Sequence, residues 1–326
     1  MDTLHQIKEP ISQELALQSQ LLQAALKSNI ALIDSVSRYF LEQKGKMVRP
    51  MMVLLSAKLT AKGPLLEETH RAAVALELLH NASLIHDDVV DESAMRRGTD
   101  TINQAWDNKV AVLMGDFFLA RCLVESTSTG SLAIQRELSQ LASSLSEGEM
   151  EQLANARGRT ISQSAYYSVI KNKTASLFVA CMRVGALSVG ASAEEVDRLG
   201  LFGEKLGMVF QIRDDIFDYY PSDTVGKPTG NDIREGKVTL PMLYALEQVD
   251  EEEQNRQITL LQSDTLSAAD IAQLMQFAKD RGGIAYAEKE MRRLANDAIA
   301  LLSHFEESPA RQSLALLVDF IIQRKM

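Results

Sequence analysis

The sequence predicts an all-α fold, a single large helical bundle over residues 1–326, on three observations. No proline occurs between Pro64 and Pro221, and residues 65 to 97 lack glycine as well. Both residue types weaken a helix interior, so long stretches without them are unusual unless the backbone is helical. Apolar residues there recur at mixed spacings of three and four, with no sustained alternation of period two. Breaks between helices fall, in chain order, at KGP (62–64), around Gly98, and at STSTG (126–130), ARGR (156–159), VGAS (189–192) and RGG (281–283). The run AVALELLHNASLI is apolar around most of a helix circumference, which predicts a central helix surrounded by others. Pro221 to Pro241 differs. PSDTVGKPTGNDIREGKVTLP holds three prolines and three glycines, with Lys227, Arg234 and Lys237 among them, and reads as a long polar loop. No compositional shift marks a domain boundary.

Charge and composition exclude some functions. A net charge of -10 opposes general nucleic-acid binding, so any bound anion must be held by local cations or by metal. Cys122 and Cys181 form no CxxC pair and sit in apolar contexts, which reads as reduced core thiols in a cytosolic, cytoplasmic protein. The N-terminus MDTLHQIKEP lacks the features of a signal peptide, and the apolar run LALLVDFII near the C-terminus is interrupted by Asp319 and too short to span a bilayer. No transmembrane segment is expected, and any transient membrane contact would run through a hydrophobic ligand or a surface.

The stretch LIHDDVVDESAMRRG places Asp87, Asp88 and Asp91 within one helical turn, ahead of Arg96 and Arg97. On a helix the three carboxylates project toward one side, and like charges at that spacing cost roughly 0.2 to 0.5 kcal/mol per pair. An apolar run precedes them, so the cluster lies at the mouth of something buried and requires a counterion. Hard oxygen donors favour magnesium, which keeps several waters and bridges carboxylates to phosphates. FQIRDDIFDYY repeats the pattern as Asp214, Asp215 and Asp218. Two such triads facing each other would form an acidic cage for magnesium ions and a diphosphate.

With these motifs the sequence resembles the trans-polyprenyl diphosphate synthases along nearly its whole length. The matches run in family order: GKMVRP (45–50), ELLHNASLIHDDVVDESAMRRG (77–98), GD (115–116), KTA (173–175), FQIRDDIFD (210–218) and GKPTGNDIREGKVTLP (226–241). The resemblance implies an isoprenoid synthase bundle with a central cavity, a homodimer, and a magnesium-dependent prenyltransferase carrying three ions per site. Such an enzyme ionises an allylic diphosphate, adds isopentenyl diphosphate to the cation and loses a proton, which the family precedent gives to the released diphosphate. By the same resemblance Asp87, Asp91 and Asp214 hold magnesium, with Asp88, Asp215 and Asp218 as further ligands or partners of metal-bound water. Arg96, Lys173, Lys237 and Lys227 contact the allylic diphosphate, and Thr174 and Gln211 place neutral dipoles beside the reacting carbon. Gly45, Lys46, Arg49, His80 and Arg97 form the isopentenyl diphosphate site. His80 lies seven residues, two helical turns, before Asp87, and Arg324 and Lys325 are candidates to cover this second site. Lys44 and Met47 stand where the family usually has glycine and arginine, which affects that loop more than the phosphate contacts.

Chain length is read one turn before the first triad. Ala82 and Ser83 are small where family members that stop at fifteen carbons place an aromatic ring, so the tunnel stays open. Leu79 and Leu76 continue its wall, and Phe118 or Cys122 forms the floor. Family analogy favours a heptaprenyl to nonaprenyl product, octaprenyl first, made from farnesyl diphosphate for quinone side chains; a geranylgeranyl or farnesyl diphosphate synthase is the alternative. A ferritin-like metal bundle is disfavoured, because Glu67/His70 and Glu77/His80 are about 280° out of phase on one helix. A class I terpene cyclase needs no second diphosphate site, and a noncatalytic synthase subunit would lack the aspartate motifs.

Overall fold

The structure is a computed structural model and describes residues 3–43, 45–96, 98–158, 160–220, 229–263 and 265–324. The helices are α1 (Thr3–Lys8), α2 (Ser12–Ala25), α3 (Ala31–Glu42), α4 (Val48–Thr60), α5 (Glu67–Val90), α6 (Ile102–Ala105), α7 (Asn108–Ser128), α8 (Leu132–Gly158) and α9 (Gln163–Val169). A single π-helical turn, Ile170–Ala175, follows. After it come α10 (Ser176–Ser188), α11 (Ala193–Phe217), α12 (Asn231–Arg234), α13 (Leu240–Glu247), α14 (Glu251–Leu261), α15 (Ala268–Asp280), α16 (Gly283–Leu302) and α17 (Pro309–Gln323). The all-α expectation holds. Among the described residues the only strands are β1 (Met95–Arg96) and β2 (Thr99–Asp100), a minimal hairpin around the break at Gly98.

All six anticipated breaks coincide with helix ends or turns. The polar loop is shorter than its composition suggests. Residues 221–228, including Lys227, lie outside the described residues, but Asn231–Arg234 forms a helical turn and α13 begins before Pro241, which occupies its first turn where a missing N–H costs nothing.

The chain divides into two compact units. The first comprises 1–143, 177–203 and 301–317. Its centre is α5, packed along α7 and against α2 and α4. Residues 72–76 and 78–82 of α5 are all buried, so the helix is covered on every side, as its sequence predicts. Cys122 and Cys181 are both buried free thiols; burial pushes Cys122 up to about 12 and Cys181 higher still. The second unit comprises 144–176, 204–300 and 318–326, where α13 packs on α15, α14 and α9. Tyr244 and Tyr286 stack within it, ring centroids 4.1 Å apart. Among the described residues no helix is long and apolar enough to cross a membrane.

Candidate active site

In the first unit the anticipated aspartate triad is divided. Asp87 and Asp88 occupy the last turn of α5, but Asp91 caps the helix from outside it. Asp88 lies about 100° around the helix from Asp87 and is only 6% exposed. Both Nε and Nη2 of Arg96 reach its Oδ1 at 2.8 Å, an ion pair made possible because the hairpin folds Arg96 back over the helix end. The expectation that all three carboxylates share one side is therefore corrected: Asp88 turns into its own arginine, while Asp87 is half-buried and Asp91 exposed.

The GD motif has a local steric role. A Cβ on Gly115 would lie 2.1 Å from Nε2 of His86, so glycine on α7 leaves room for the imidazole in this rotamer, which a side chain there would swing aside. That nitrogen sits 3.2 Å from the Val112 carbonyl and 3.5 Å from Asp116.

Of the anticipated isopentenyl diphosphate residues, Gly45 and Lys46 precede α4, Arg49 lies in its first turn, and His80 is buried on α5. Arg97 and Lys44 lie outside the described residues. Met47, the departure from the family motif, takes a left-handed backbone at φ 58°, a region costing a non-glycine residue about 1 kcal/mol. Along the expected tunnel wall, Leu76, Leu79, Ala82, Phe118 and Cys122 are all buried, and Phe118 meets the ring of Phe40 edge-on at 5.2 Å. The Ser83 hydroxyl donates to the His80 carbonyl at 2.8 Å.

The second unit gathers most of the remaining candidates. Lys173 and Thr174 sit on the π-helical turn, and such a turn re-aims side chains that an α-helix would stagger. Gly148 of α8 permits its approach, since a Cβ there would come within 2.7 Å of the Lys173 backbone nitrogen. Lys173 Nζ is paired with Glu149 and Lys237 Nζ with Glu235. On α11, Gln211 Nε2 donates to Asp215 Oδ1 at 2.8 Å, while Thr174 Oγ1 donates to Gln211 Oε1 at 2.7 Å. Tyr166 of α9 donates its hydroxyl to the other carboxylate oxygen of Asp215 at 2.6 Å. Asp215 is 3% exposed, and burial raises its pKa to about 7 against the lowering effect of these hydrogen bonds.

Asp218 follows α11 and accepts the backbone N–H of Asn231 at 2.9 Å and of Asp232 at 3.1 Å, capping α12. Burial, with Asp215 and Asp218 nearby, pushes Asp232 well above the usual carboxylate range. Lys173, Thr174, Gln211, Asp215, Asp232 and Lys237 all line one cavity of about 220 Å³. Asp214 is different: its side chain is 41% exposed and bears the guanidinium of Arg324, which also stacks 4.0 Å over Phe210. Arg324, a candidate cover for the isopentenyl site, thus has a partner within the second unit. Lys325 lies outside the described residues.

Among the described residues no three His, Cys, Asp or Glu side chains are gathered into a ready-made metal cluster. Asp87 and Asp91 in the first unit, and Asp214 in the second, carry hard oxygen donors of the kind magnesium takes. Asp88, Asp215 and Asp218 have oxygens already taken by an arginine, by neutral donors and by backbone amides. Sequence reasoning missed Tyr166, Glu149, Gly148 and Asp232. Asp232 stood inside a quoted motif, and Tyr166 is seven residues before Lys173, a two-turn spacing that was available as a signal.

A family model described as polyprenyl synthetase matches residues 30–278. Octaprenyl diphosphate synthase of Escherichia coli K12 is 33% identical over 322 residues, which is 98% of this chain and 99% of that protein. Among solved structures, polyprenyl synthase from Caulobacter crescentus CB15, complexed with calcium and isoprenyl diphosphate, aligns with a TM-score of 0.89 at 30% identity over 99% of this chain and 98% of its own. Geranylgeranyl pyrophosphate synthase from Bacteroides thetaiotaomicron is 40% identical with a TM-score of 0.85, covering 99% of this chain and all of that one. The motifs in order, the helical architecture and these end-to-end matches lead to one conclusion: the chain belongs to the polyprenyl synthetase family of prenyltransferases.

Proposed function

We propose that this protein condenses isopentenyl diphosphate head to tail onto an allylic diphosphate, farnesyl diphosphate first, as an all-trans polyprenyl diphosphate synthase. The observation that carries the reading is the second-unit cavity, which sets Lys173 and Lys237 beside the neutral Thr174–Gln211 pair. Cations there bind a diphosphate, and oxygen dipoles stabilise a carbocation without capturing it as a nucleophilic carboxylate would.

In this mechanism Lys173, Lys237 and Arg96 bind the allylic diphosphate and take up charge as its carbon–oxygen bond breaks. Asp87, Asp91 and Asp214 would hold magnesium, three ions in the family pattern, which supplies Lewis acidity to the leaving diphosphate. Lys46, Arg49 and His80 bind and orient isopentenyl diphosphate, so that its double bond adds to the cation; Arg97 and Lys227, outside the described residues, complete the two phosphate sites. One proton then leaves, to the released diphosphate. The two compact units serve this reaction as one catalytic domain, a reading supported by a family model that runs through both.

Ala82 and Ser83 favour an open tunnel and a product in the heptaprenyl to nonaprenyl range, for a quinone side chain. The 40% identity to a geranylgeranyl pyrophosphate synthase favours a twenty-carbon product as a second reading. A homodimer is supported by α7, whose Val112, Leu113, Leu123 and Val124 are apolar yet exposed. Two buried thiols suit a cytoplasmic setting. Incubation with isopentenyl diphosphate, farnesyl diphosphate and magnesium, with dephosphorylated products sized by mass spectrometry, tests the proposal. Elongated alcohols support it, and diphosphate release without elongation points instead to a cyclase.

A further inference from the structure

Asp215 belongs to a repeated aspartate motif, yet its surroundings are those of a hydrogen-bond anchor. Its carboxylate is 3% exposed, with Gln211 Nε2 on Oδ1 at 2.8 Å and the Tyr166 hydroxyl on Oδ2 at 2.6 Å. Both carboxylate oxygens already accept a short hydrogen bond from a neutral donor, and the group is almost wholly enclosed.

The geometry has a directional consequence. With Asp215 ionised, its oxygens accept and cannot donate, so Gln211 turns its NH₂ toward Asp215 and its carbonyl oxygen toward Thr174, the arrangement the structure shows. The Thr174 hydroxyl then spends its only proton on Gln211 Oε1, at 2.7 Å. With that proton committed, the remaining Thr174 oxygen lone pairs are the part left to act on a neighbouring group. Whichever partner of the Tyr166–Asp215 pair carries the shared proton, Oδ1 still accepts from Gln211. The polarity of the chain is therefore set at Asp215 and read out at Thr174.

We infer that Tyr166 and Asp215 are positioning residues that orient the Gln211 amide and the Thr174 hydroxyl, so that lone pairs rather than an O–H face the allylic cation. The inference rests on the prenyl-transfer reading and extends it by removing Asp215 from the metal ligands and adding Tyr166. A hydroxyl presenting its proton to a cation would oppose the charge it should stabilise, so loss of the anchor slows ionisation without weakening diphosphate binding.

The conservative substitution separates the two roles of Asp215. The side-chain amide introduced by Asp215→Asn offers a carbonyl oxygen to Gln211 and an N–H donor to the Tyr166 hydroxyl, which can accept, so polarity survives; being neutral, that amide is a poor replacement for a magnesium-binding carboxylate. The expected result is that Asp215→Asn retains kcat within about threefold and Asp215→Ala loses at least about tenfold. KM for isopentenyl diphosphate and the calorimetric affinity for inorganic pyrophosphate with Mg²⁺ should be unchanged in both. In a Thr174→Val background, Asp215→Ala should cost little more, because the relay then has no endpoint. Tyr166→Phe, which deletes one hydroxyl and no volume, should lower kcat about fivefold, and it decides the matter should Asp215→Ala fail to fold. The inference is overturned if Asp215→Asn is as impaired as Asp215→Ala, if Asp215→Asn weakens Mg²⁺-pyrophosphate binding, or if Tyr166→Phe turns over at the wild-type rate. A wild-type protein that elongates no substrate would defeat the prenyl-transfer reading itself, whereas active wild type with any of these outcomes defeats only the relay.

Discussion

The guanidinium of Arg324 lies on the carboxylate of Asp214 and over the ring of Phe210, with the Arg213 side chain donating to the Arg324 carbonyl at 3.3 Å. A C-terminal cation thus engages a motif carboxylate whose side chain is 41% exposed. Magnesium and Arg324 compete for Asp214 in the proposed mechanism, so Arg324→Ala should lower the Mg²⁺ concentration for half-maximal pyrophosphate binding. Because both groups are partly solvated, the change should be modest, about threefold to tenfold. Calorimetric titration measures it, and a raised Mg²⁺ requirement would mean that Arg324 assists binding.

Acid–base behaviour follows from the buried carboxyls. Burial raises Asp215 to about 7 and Asp232 in the same direction, so the native state holds these protons more tightly than the unfolded chain, where a carboxyl titrates near 3.9. The contribution of Asp215 to stability is complete below that unfolded value and is lost as pH rises through about 7. Melting temperature should fall between pH 5.5 and 8, and Asp215→Asn should flatten the slope. A slope unchanged by that substitution would contradict the assignment.

Gly148→Ala pits two effects against each other. Alanine gains about 1 kcal/mol of helix propensity, but its Cβ would meet the Lys173 backbone nitrogen at 2.7 Å, and such overlap costs about 1–3 kcal/mol. The clash wins because the neighbour is backbone and cannot rotate away. The variant should melt lower and lose kcat through displacement of Lys173 and Thr174, both measurable on one preparation.

Ala82 is 3% exposed on α5, the helix that packs along α7. Ala82→Phe should shorten the product, with about 1–3 kcal/mol of overpacking as the accompanying stability loss. Mass spectrometry of the alcohols checks this, and an unchanged distribution removes Ala82 from the tunnel.

Leu113 is 67% exposed on the apolar face of α7. Leu113→Glu should convert a dimer to monomer in sedimentation velocity, since an unpaired carboxylate opposes burial of that face. A wild-type protein that already sediments as a monomer would rule the interface out.

Much of this architecture was legible because it is local. The central α5 and the helix ends at STSTG and VGAS follow from periodicity and breakers, while Lys173, Thr174 and Gln211 were named by the family resemblance of their short motifs. Partners fixed by tertiary packing were not legible. Tyr166 meets Asp215 across 49 positions and Arg324 meets Asp214 across 110, separations at which spacing carries no geometric information. The division of the first triad was hidden for another reason. The helix stops at Val90 and a hairpin returns Arg96 to Asp88, so ideal helical phase fails where the helix ends.

The central claim is that both aspartate motifs serve one prenyl transfer. Incorporation of labelled isopentenyl diphosphate into solvent-extractable product, compared among wild type, Asp87→Asn and Asp214→Asn, tests it most directly. The account predicts elongation by the wild type and a loss of at least about a hundredfold in each variant, both remaining folded. Wild-type turnover by either variant would contradict it.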